Sequence, residues 1–290
     1  RRRGSPVAGR APRGAQAPKA PPLGQGATPA MAAAAGPSLE LRYFACRSRG
    51  EPIRLALAAS GQEWTEASVP EVQPGFRPEE ARRQVPPPEE ERRRCRYLCG
   101  EAGDLKNARE WPYGTCPKLV DGDFHLVQSN AILRHLGRRF GLYGDTATDH
   151  ALVDSLLDGL EDVRAAYNDL VYGLDPPPFR DEMTNDRPEV VQAFQAAGGG
   201  VAERFRPFER ALEGAGGAGF LAAGRLTVAD LAMYDLFDVH LRIWGMSVLA
   251  PSSGFERLHA HRALVEAVPG IAAYLASGRR WSRINGNMLG

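Results

Sequence analysis

The side chains in this sequence that could act as nucleophiles include four cysteines, Cys46, Cys95, Cys99 and Cys116. Cys46 lies just before a predicted helix, and because a helix N-terminus lowers the pKa of a thiol, Cys46 is a candidate nucleophile. Cys95 and Cys99 have no other Cys or His nearby at the spacing of zinc ligands, so we predict no metal site there. Four cysteines in a long chain without a secretory hydrophobic segment indicate a reducing, cytoplasmic environment rather than a disulfide framework.

A predicted helix start at Ser129 is the second place where the sequence could bind a ligand. Ser129 stands at the head of an apolar segment with helical spacing and is predicted to be its N-cap. The N–H groups of a first helical turn have no partners inside the helix, so they attract anions such as a carboxylate. Tyr43, by contrast, ends a predicted strand, where the ordinary role of a single tyrosine is to pack in the core.

The elements that position these residues form a βαβ unit, then a hairpin and a helix. Alternating apolar residues from Leu39 predict a strand, and residues 51–60 predict a helix with Pro52 in its first turn and Gly61 after its end. A second strand is predicted at 64–69. The dipeptide Asp-Gly at 121–122 lies between two short apolar runs and predicts a hairpin. Residues 39–140 therefore form a small α/β domain.

The second half of the chain is predicted to be all helix. Beyond Asp149 apolar residues recur at helical spacing, at Leu152, Leu156, Leu160 and Val163. The strongest helix start is a capping box formed by Thr227 and Asp230, which is flanked by Leu226 and Leu231 as a hydrophobic staple.

Charge and composition argue against a protein that binds nucleic acid or a membrane. The 36 basic and 35 acidic residues leave a net charge of +1, and no apolar run approaches the roughly 18 residues of a membrane span. Residues 1–37 hold six of the basic residues and no acidic one, so the rest of the chain has 30 basic against 35 acidic residues and a charge of −5.

Three segments are predicted to lie outside the folded core. Residues 1–37 are rich in Pro and Gly, which disfavours a mitochondrial transit helix, and we expect them to be a disordered or artefactual tail, with Met31 as the natural start. Residues 70–103 are a run of Pro, Arg and Glu without helical or strand periodicity and are predicted to be a disordered insertion. Residues 174–200 form a second interruption rich in Pro and Gly, predicted to be a loop insertion.

Several segments resemble the pi class of the cytosolic glutathione transferases. They lie at residues 43–50, 117–123, 128–144, 151–154, 161–162 and 284–287. The resemblance implies a fold of α/β plus all-α type, with a thioredoxin-like glutathione-binding domain at 38–144 followed by a helical bundle domain at 145–290 that binds the electrophile. It also implies a homodimer that conjugates the thiolate of reduced glutathione to hydrophobic electrophiles, with glutathione as co-substrate and no cofactor.

The resemblance assigns the chemical step to Tyr43. Its hydroxyl would donate a hydrogen bond to the glutathione sulfur. A free thiol has a pKa near 8.5, and each unit by which the hydrogen bond depresses it corresponds to about 1.4 kcal/mol. Gln128 and Ser129 would hold the γ-glutamyl carboxylate, a role compatible with the helix start predicted there.

The resemblance assigns the cysteinyl part of glutathione to a backbone segment. Pro117 would follow a cis peptide bond, and Thr115 and Cys116 would pair with the tripeptide through their main chain. Because the backbone makes this pairing, the unusual side chains at 115 and 116 are compatible with it. In the family a tryptophan and a lysine hold the glycyl carboxylate of glutathione. Lys106 matches the lysine, but no tryptophan precedes it at the family spacing.

The remaining implied positions surround the second substrate and the dimer interface. Asp162 would reach glutathione across the interface, and Arg49 would lie near the junction of the two substrates. Phe44, Cys46 and Tyr172 would line an apolar pocket for the electrophile.

Two other functions remain open from the sequence. Cys46 could serve a glutathione-dependent thiol transferase, although Tyr43 already occupies the place where such relatives carry their cysteine. A protein that keeps the fold and binds ligands without catalysis is the other alternative, and the altered glycyl end favours it.

Overall fold

A computed structural model describes residues 39–44, 46–68, 111–113, 115–173, 188–215, 217–244, 248–282 and 284. The predictions made for residues 1–37 and 70–103 lie outside the described residues.

Four short strands form a mixed sheet. They are β1 (Leu39–Tyr43), β2 (Trp64–Ser68), β3 (Lys118–Asp121) and β4 (Phe124–Val127), in the spatial order β2-β1-β3-β4. β1 is parallel to β2 and antiparallel to β3, and β3 pairs with β4 in an antiparallel hairpin. The hairpin turn has two residues between Asp121 and Phe124, as the Asp-Gly dipeptide predicted.

Helix α1 (Glu51–Ser60) crosses from β1 to β2 and is buried over most of its length. It begins with Pro52 in its first turn and ends at Gly61, which has φ 68° and so adopts a left-handed conformation that favours glycine. Ile53, Leu55 and Leu57 are fully buried. Their burial shows that α1 lies within the hydrophobic core.

Six further helices follow the sheet among the described residues. They are α2 (Ser129–Arg139), α3 (Ala147–Gly173), α4 (Pro188–Gly214), α5 (Val228–Trp244), α6 (Glu256–Glu266) and α7 (Pro269–Ala276), with short 3-10 helices at Ser48–Gly50 and Pro251–Ser253. α5 packs against α1, α3 and α6 and is nearly all buried. This order of a small sheet and then helices confirms the predicted fold class.

The start of α5 has the predicted cap. The Asp230 carboxylate accepts from the backbone N–H of Thr227 at 2.7 Å and from the Thr227 hydroxyl at 2.8 Å. Both residues are fully buried. The same carboxylate also accepts from the Leu221 N–H and contacts the His261 ring, at 2.8 and 3.0 Å. Asp230 therefore ties the helix start to a loop and to α6, which the local pattern did not predict.

The loop predicted at 174–200 is wrong over its second half. Residues 188–200 form the first part of α4, whereas 174–187 lie outside the described residues. Pro188 suits a first helical position, and residues 189–197 include Glu, Gln and Ala, which favour helix. Three consecutive glycines at 198–200 are tolerated because helix formation is cooperative and the segment after them is strongly helical.

Candidate active site

Tyr43, the last residue of β1, lies directly against the turn that begins α1. Its side chain is buried, and its hydroxyl oxygen accepts a hydrogen bond from the backbone N–H of Arg49 at 3.1 Å. The ring also packs on Gly50, where an added Cβ would lie only 2.4 Å from ring atom Cδ1. The turn therefore needs glycine at position 50, and the phenol oxygen is held at the start of a helix, as predicted.

The Arg54 side chain of α1 fixes the loop that precedes this helix. Its buried guanidinium donates to the Cys46 carbonyl at 2.8 Å and forms an ion pair with Glu66 of β2, with Nε 3.0 Å from Oε2. Burial alone lowers the pKa of Arg54, but the Glu66 carboxylate outweighs that effect and the pKa is raised. The guanidinium also lies 5.8 Å from the centroid of the Tyr43 ring. The loop before α1 is thus tied to the sheet.

Glu161 of α3 connects two of the segments from which the resemblance draws glutathione-binding residues. Its carboxylate accepts two hydrogen bonds from the Arg49 guanidinium, with Nη1 3.0 Å from Oε2. The same carboxylate accepts from the Asn130 amide, next to Ser129, at 3.5 Å. The sequence analysis assigned a role to the neighbouring Asp162 and missed Glu161. The signal was present, since residue 161 belongs to the same matching pair.

Gln128 and Ser129 stand at the start of α2, shifted by one residue from the prediction. Gln128 is the N-cap, with φ 74°, and Ser129 is the first helical residue, so the prediction that Ser129 is the N-cap is wrong. The left-handed conformation of Gln128 is uncommon for a residue with a side chain and turns the chain abruptly into the helix. The Gln128 side chain makes no cap hydrogen bond to α2. The first N–H groups of α2 could therefore accept an anion, and the binding of a carboxylate there stays a prediction.

The peptide bond between Cys116 and Pro117 is cis, in agreement with the resemblance. Pro117 is buried, Cys116 is half-buried and Thr115 is exposed. Next in the chain, the buried Lys118 places its ammonium group 5.3 Å from the centroid of the Trp111 ring. Lys118 directly follows the segment that the resemblance assigns to the cysteinyl part of glutathione.

The positions implied for the electrophile are only partly described. The Phe44 ring lies 5.4 Å from the Tyr43 ring and is half-buried. Cys46 is buried, with 1% of its surface exposed, which disfavours a nucleophilic role because reactive thiols need access to their substrate. The backbone of Tyr172 belongs to α3, but its side chain lies outside what the structure describes.

Asp162 points away from the contacts of Glu161. It is exposed, and within the described part of the chain no hydrogen bond or ion pair involves it. Consecutive helical residues are about 100° apart around the helix axis, so the two neighbours face different surroundings. Lys106 lies outside the described residues, and its proposed place at the glycyl end remains a prediction.

None of the helices in the described ranges could serve as a membrane span. No group of three or more His, Cys, Asp or Glu side chains there could hold a metal ion.

Known proteins resemble this chain in sequence and in fold. A family model described as the C-terminal domain of glutathione S-transferase matches residues 184–278. Glutathione S-transferase P of Bos taurus is 33% identical over 255 residues, covering 87% of this chain and 98% of that protein. Glutathione S-transferase P of Homo sapiens is 32% identical with the same coverage.

Solved structures share the fold. A glutathione S-transferase of Caenorhabditis elegans is 26% identical with a TM-score of 0.58, covering 83% of this chain and 98% of that one. The pi-class enzyme of Onchocerca volvulus has a TM-score of 0.56 at 21% identity, covering 82% and 92% of the two chains. Because this chain covers nearly all of relatives that share a third of their residues with it, it belongs to the glutathione S-transferase family, and the relatives' shared name places it in the pi class.

Proposed function

We propose that this protein joins the thiolate of reduced glutathione to hydrophobic electrophiles, and that Tyr43 stabilises the thiolate. The observation that carries this proposal is the position of the Tyr43 hydroxyl at the start of α1, where it accepts the Arg49 N–H at 3.1 Å. An N–H that donates to a phenol oxygen polarises the O–H bond and makes it a better donor. The hydroxyl would then donate to the glutathione sulfur.

The chemical step needs little from the protein beyond this donor. The thiol releases its proton to solvent, and the thiolate forms a bond to the electrophilic carbon while the leaving group departs with its electron pair. A hydrogen bond to the thiolate lowers the pKa of the thiol, and a depression of two units corresponds to about 2.7 kcal/mol. At neutral pH this converts a small thiolate fraction into the major form.

We place the glutathione backbone against the α2 start and the cis-proline segment. The uncapped first turn of α2 would bind the γ-glutamyl carboxylate through Gln128 and Ser129. The main chain of Thr115 and Cys116 would pair with the cysteinyl part. Lys106 would hold the glycyl carboxylate.

Arg49 has a different role from a free cation at the substrate junction. Because its guanidinium is paired with Glu161, it would contribute its backbone N–H to Tyr43 and a neutralised pair to the site wall. The electrophile would lie against Phe44 and Tyr172, and Cys46, which is buried, would contribute little to the surface of the pocket. In this proposal residues 38–144 bind glutathione and residues 145–290 complete the pocket.

We further propose a cytoplasmic homodimer in which Asp162 of one subunit completes the glutathione site of the other. Large apolar side chains are exposed at Tyr113, Phe124 and Leu152, which supports an interface on this part of the chain. The exposed carboxylate of Asp162 is available to a partner, since no ion pair within the described residues uses it.

One assay tests the function and separates it from its alternatives. Conjugation of glutathione to 1-chloro-2,4-dinitrobenzene is measured for the wild type, Tyr43→Phe and Cys46→Ala. We expect Tyr43→Phe to lower kcat by about 10- to 1000-fold, with glutathione affinity nearly unchanged, because one preorganised donor is lost. Cys46→Ala should retain activity.

Other outcomes would reassign the protein. Loss of activity in Cys46→Ala with normal activity in Tyr43→Phe would indicate a thiol transferase. A wild type that binds glutathione but conjugates no electrophile would indicate a binding protein.

A further inference from the structure

We propose that Asp238 is a positioning residue for this reaction, because through Arg47 it holds the turn whose Arg49 N–H contacts the Tyr43 hydroxyl. The inference rests on the proposed function and adds a residue of α5 that makes no contact with Tyr43 itself in the hydrogen bonds described. Asp238 lies in a cluster of charged side chains that has no part in the reaction as proposed.

The carboxylate of Asp238 is buried and surrounded by four arginines. Its Oδ2 lies 3.4 Å from Arg47 Nη1, 3.2 Å from Arg242 Nε and 3.3 Å from Arg280 Nη2, and its Oδ1 lies 3.0 Å from Arg262 Nη2. Burial raises the pKa of Asp238, but the four arginines lower it more, so the carboxylate is charged at neutral pH. One anion thus gathers cations from α5, α6, the chain after α7 and the turn before α1.

Arg47 is the member of this cluster that belongs to the turn. Its side chain is buried, and its Nε also donates to the Trp281 carbonyl at 2.7 Å. Its own carbonyl accepts from the N–H groups of Gly50 and Glu51 at 3.0 and 2.9 Å. The backbone of Arg47 therefore starts α1, while its side chain is fixed by Asp238 and the C-terminal segment.

Ser48, between Arg47 and Arg49, has a strained backbone, so the turn depends on contacts with other segments. Ser48 has φ 33°, a left-handed conformation that costs free energy for a residue with a Cβ. Its N–H donates to the Ile284 carbonyl at 2.8 Å. A strained turn persists only when its surroundings determine it, and here α5 and the C-terminal segment do so.

The chain of contacts ends at Tyr43. Asp238 binds Arg47, and Arg47 fixes the turn. Arg49, in the same turn, donates its N–H to the Tyr43 phenol oxygen at 3.1 Å. If Asp238 loses its charge, Arg47 remains buried among Arg242 and Arg280, and the nearby anion that is left, Glu51, is already paired with Arg280 at 2.8 Å. The cations repel one another, the turn shifts, and the N–H no longer polarises the phenol.

The test measures the pKa of the glutathione thiol bound to the full-length protein. It is read from the ultraviolet absorbance of the thiolate and from the acidic limb of the pH profile of kcat/KM. For Asp238→Asn we expect the pKa of the bound thiol to rise by about one unit. At pH values well below this pKa, kcat/KM should then fall about tenfold, and at pH values well above it kcat/KM should approach the wild-type value. A direct electrostatic effect has the opposite sign, because removing a negative charge favours the thiolate.

Two further variants isolate the mechanism. Arg47→Lys keeps the charge but cannot reproduce the two directed hydrogen bonds of the guanidinium, so it should raise the thiol pKa in the same direction. It also decides the matter if Asp238→Asn fails to fold. Glu209→Gln changes another buried carboxylate, which accepts from the Arg257 and Leu258 N–H groups at 2.9 Å, and it should leave the thiol pKa unchanged even if it lowers stability.

The outcomes separate this inference from the proposed function. In a Tyr43→Phe background Asp238→Asn should cause no further rise, because the effect passes through the phenol. The inference alone is overturned if Tyr43→Phe raises the thiol pKa as expected, while this pKa is unchanged or lowered in Asp238→Asn and unchanged in Arg47→Lys. A Tyr43→Phe variant with an unshifted thiol pKa refutes the role of Tyr43 and the inference together.

Discussion

The guanidinium of Arg49 and the carboxylate of Glu161 form a two-bond ion pair between the turn before α1 and the helix α3. Because the backbone N–H of Arg49 also contacts the Tyr43 hydroxyl, this pair is a second anchor for the turn, in addition to Arg47. Both side chains are about one-third exposed, so solvent screens the attraction.

The first prediction concerns this anchor. Glu161→Gln should lower stability by no more than about 1 kcal/mol, since the pair is partly exposed, yet lower kcat/KM by about 3- to 10-fold because the turn loosens. Steady-state kinetics and thermal unfolding measure the two effects. Glu203→Gln, which breaks an exposed pair with Arg206 on α4, is the control and should change neither. Equal kinetics for Glu161→Gln and the wild type would show that the backbone alone holds the turn.

The second prediction concerns the anion site at the start of α2. Ser129→Ala should weaken glutathione binding by about 1 to 3 kcal/mol, because the bound carboxylate loses a charge-assisted hydrogen bond from the hydroxyl. Since Ser129 is the first helical residue and its side chain makes no hydrogen bond to another described residue, stability should change little. Titration calorimetry gives the affinity. Ser60→Ala, whose hydroxyl donates to the Leu57 carbonyl instead, should bind glutathione like the wild type. Equal affinity for Ser129→Ala would remove this residue from the site.

The third prediction concerns Asp162 and the dimer. Asp162→Asn should raise the KM for glutathione more than it lowers kcat, because the carboxylate would pair with the α-amino group of the substrate. Sedimentation should still show a dimer, since one exposed charge rarely decides association. Asp123→Asn, in the exposed hairpin turn, is the matched control. A monomeric active species would refute the shared site.

Mixed dimers give a sharper test of the same prediction. A hybrid of one Tyr43→Phe subunit and one Asp162→Asn subunit would contain one site with both defects and one intact site if Asp162 acts across the interface. It should therefore show the wild-type KM and about half the wild-type kcat. If Asp162 acts within its own subunit, every site carries one defect and neither value is restored.

The fourth prediction distinguishes the two residues that begin α5. Thr227→Ala should destabilise the protein by about 0.5 to 2 kcal/mol for a weakened cap. Asp230→Ala should cost about 3 to 5 kcal/mol, because it leaves the buried donors of Leu221, Thr227 and His261 without their acceptor. Denaturant unfolding measures the difference, and specific activity at low temperature should stay normal in both. A stable but inactive variant would mean that the pair belongs to the chemistry.

Local sequence patterns predicted the elements well because their causes are local. The limits of α1 follow from Pro52 and Gly61, and the hairpin follows from an Asp-Gly dipeptide. The one-residue error at Ser129 has a physical reason, since both it and Gln128 can precede a helix and the left-handed backbone of Gln128 is set by its surroundings. The helix at 188–200 was missed because three glycines and a proline outweighed the helix-forming residues between them.

The sequence by itself determined the family, the order of strands and helices, and the place of Tyr43 at a strand end, since each depends on residue types close together in the chain. Only the tertiary structure decided that Glu161 rather than Asp162 contacts Arg49, and that Asp238 gathers four arginines around the turn before α1. These contacts join residues 112 and 191 positions apart. A buried charge needs an oppositely charged partner, and the packing of the helices decides which residue that is. The spacing of residues along the chain does not predict such a pair.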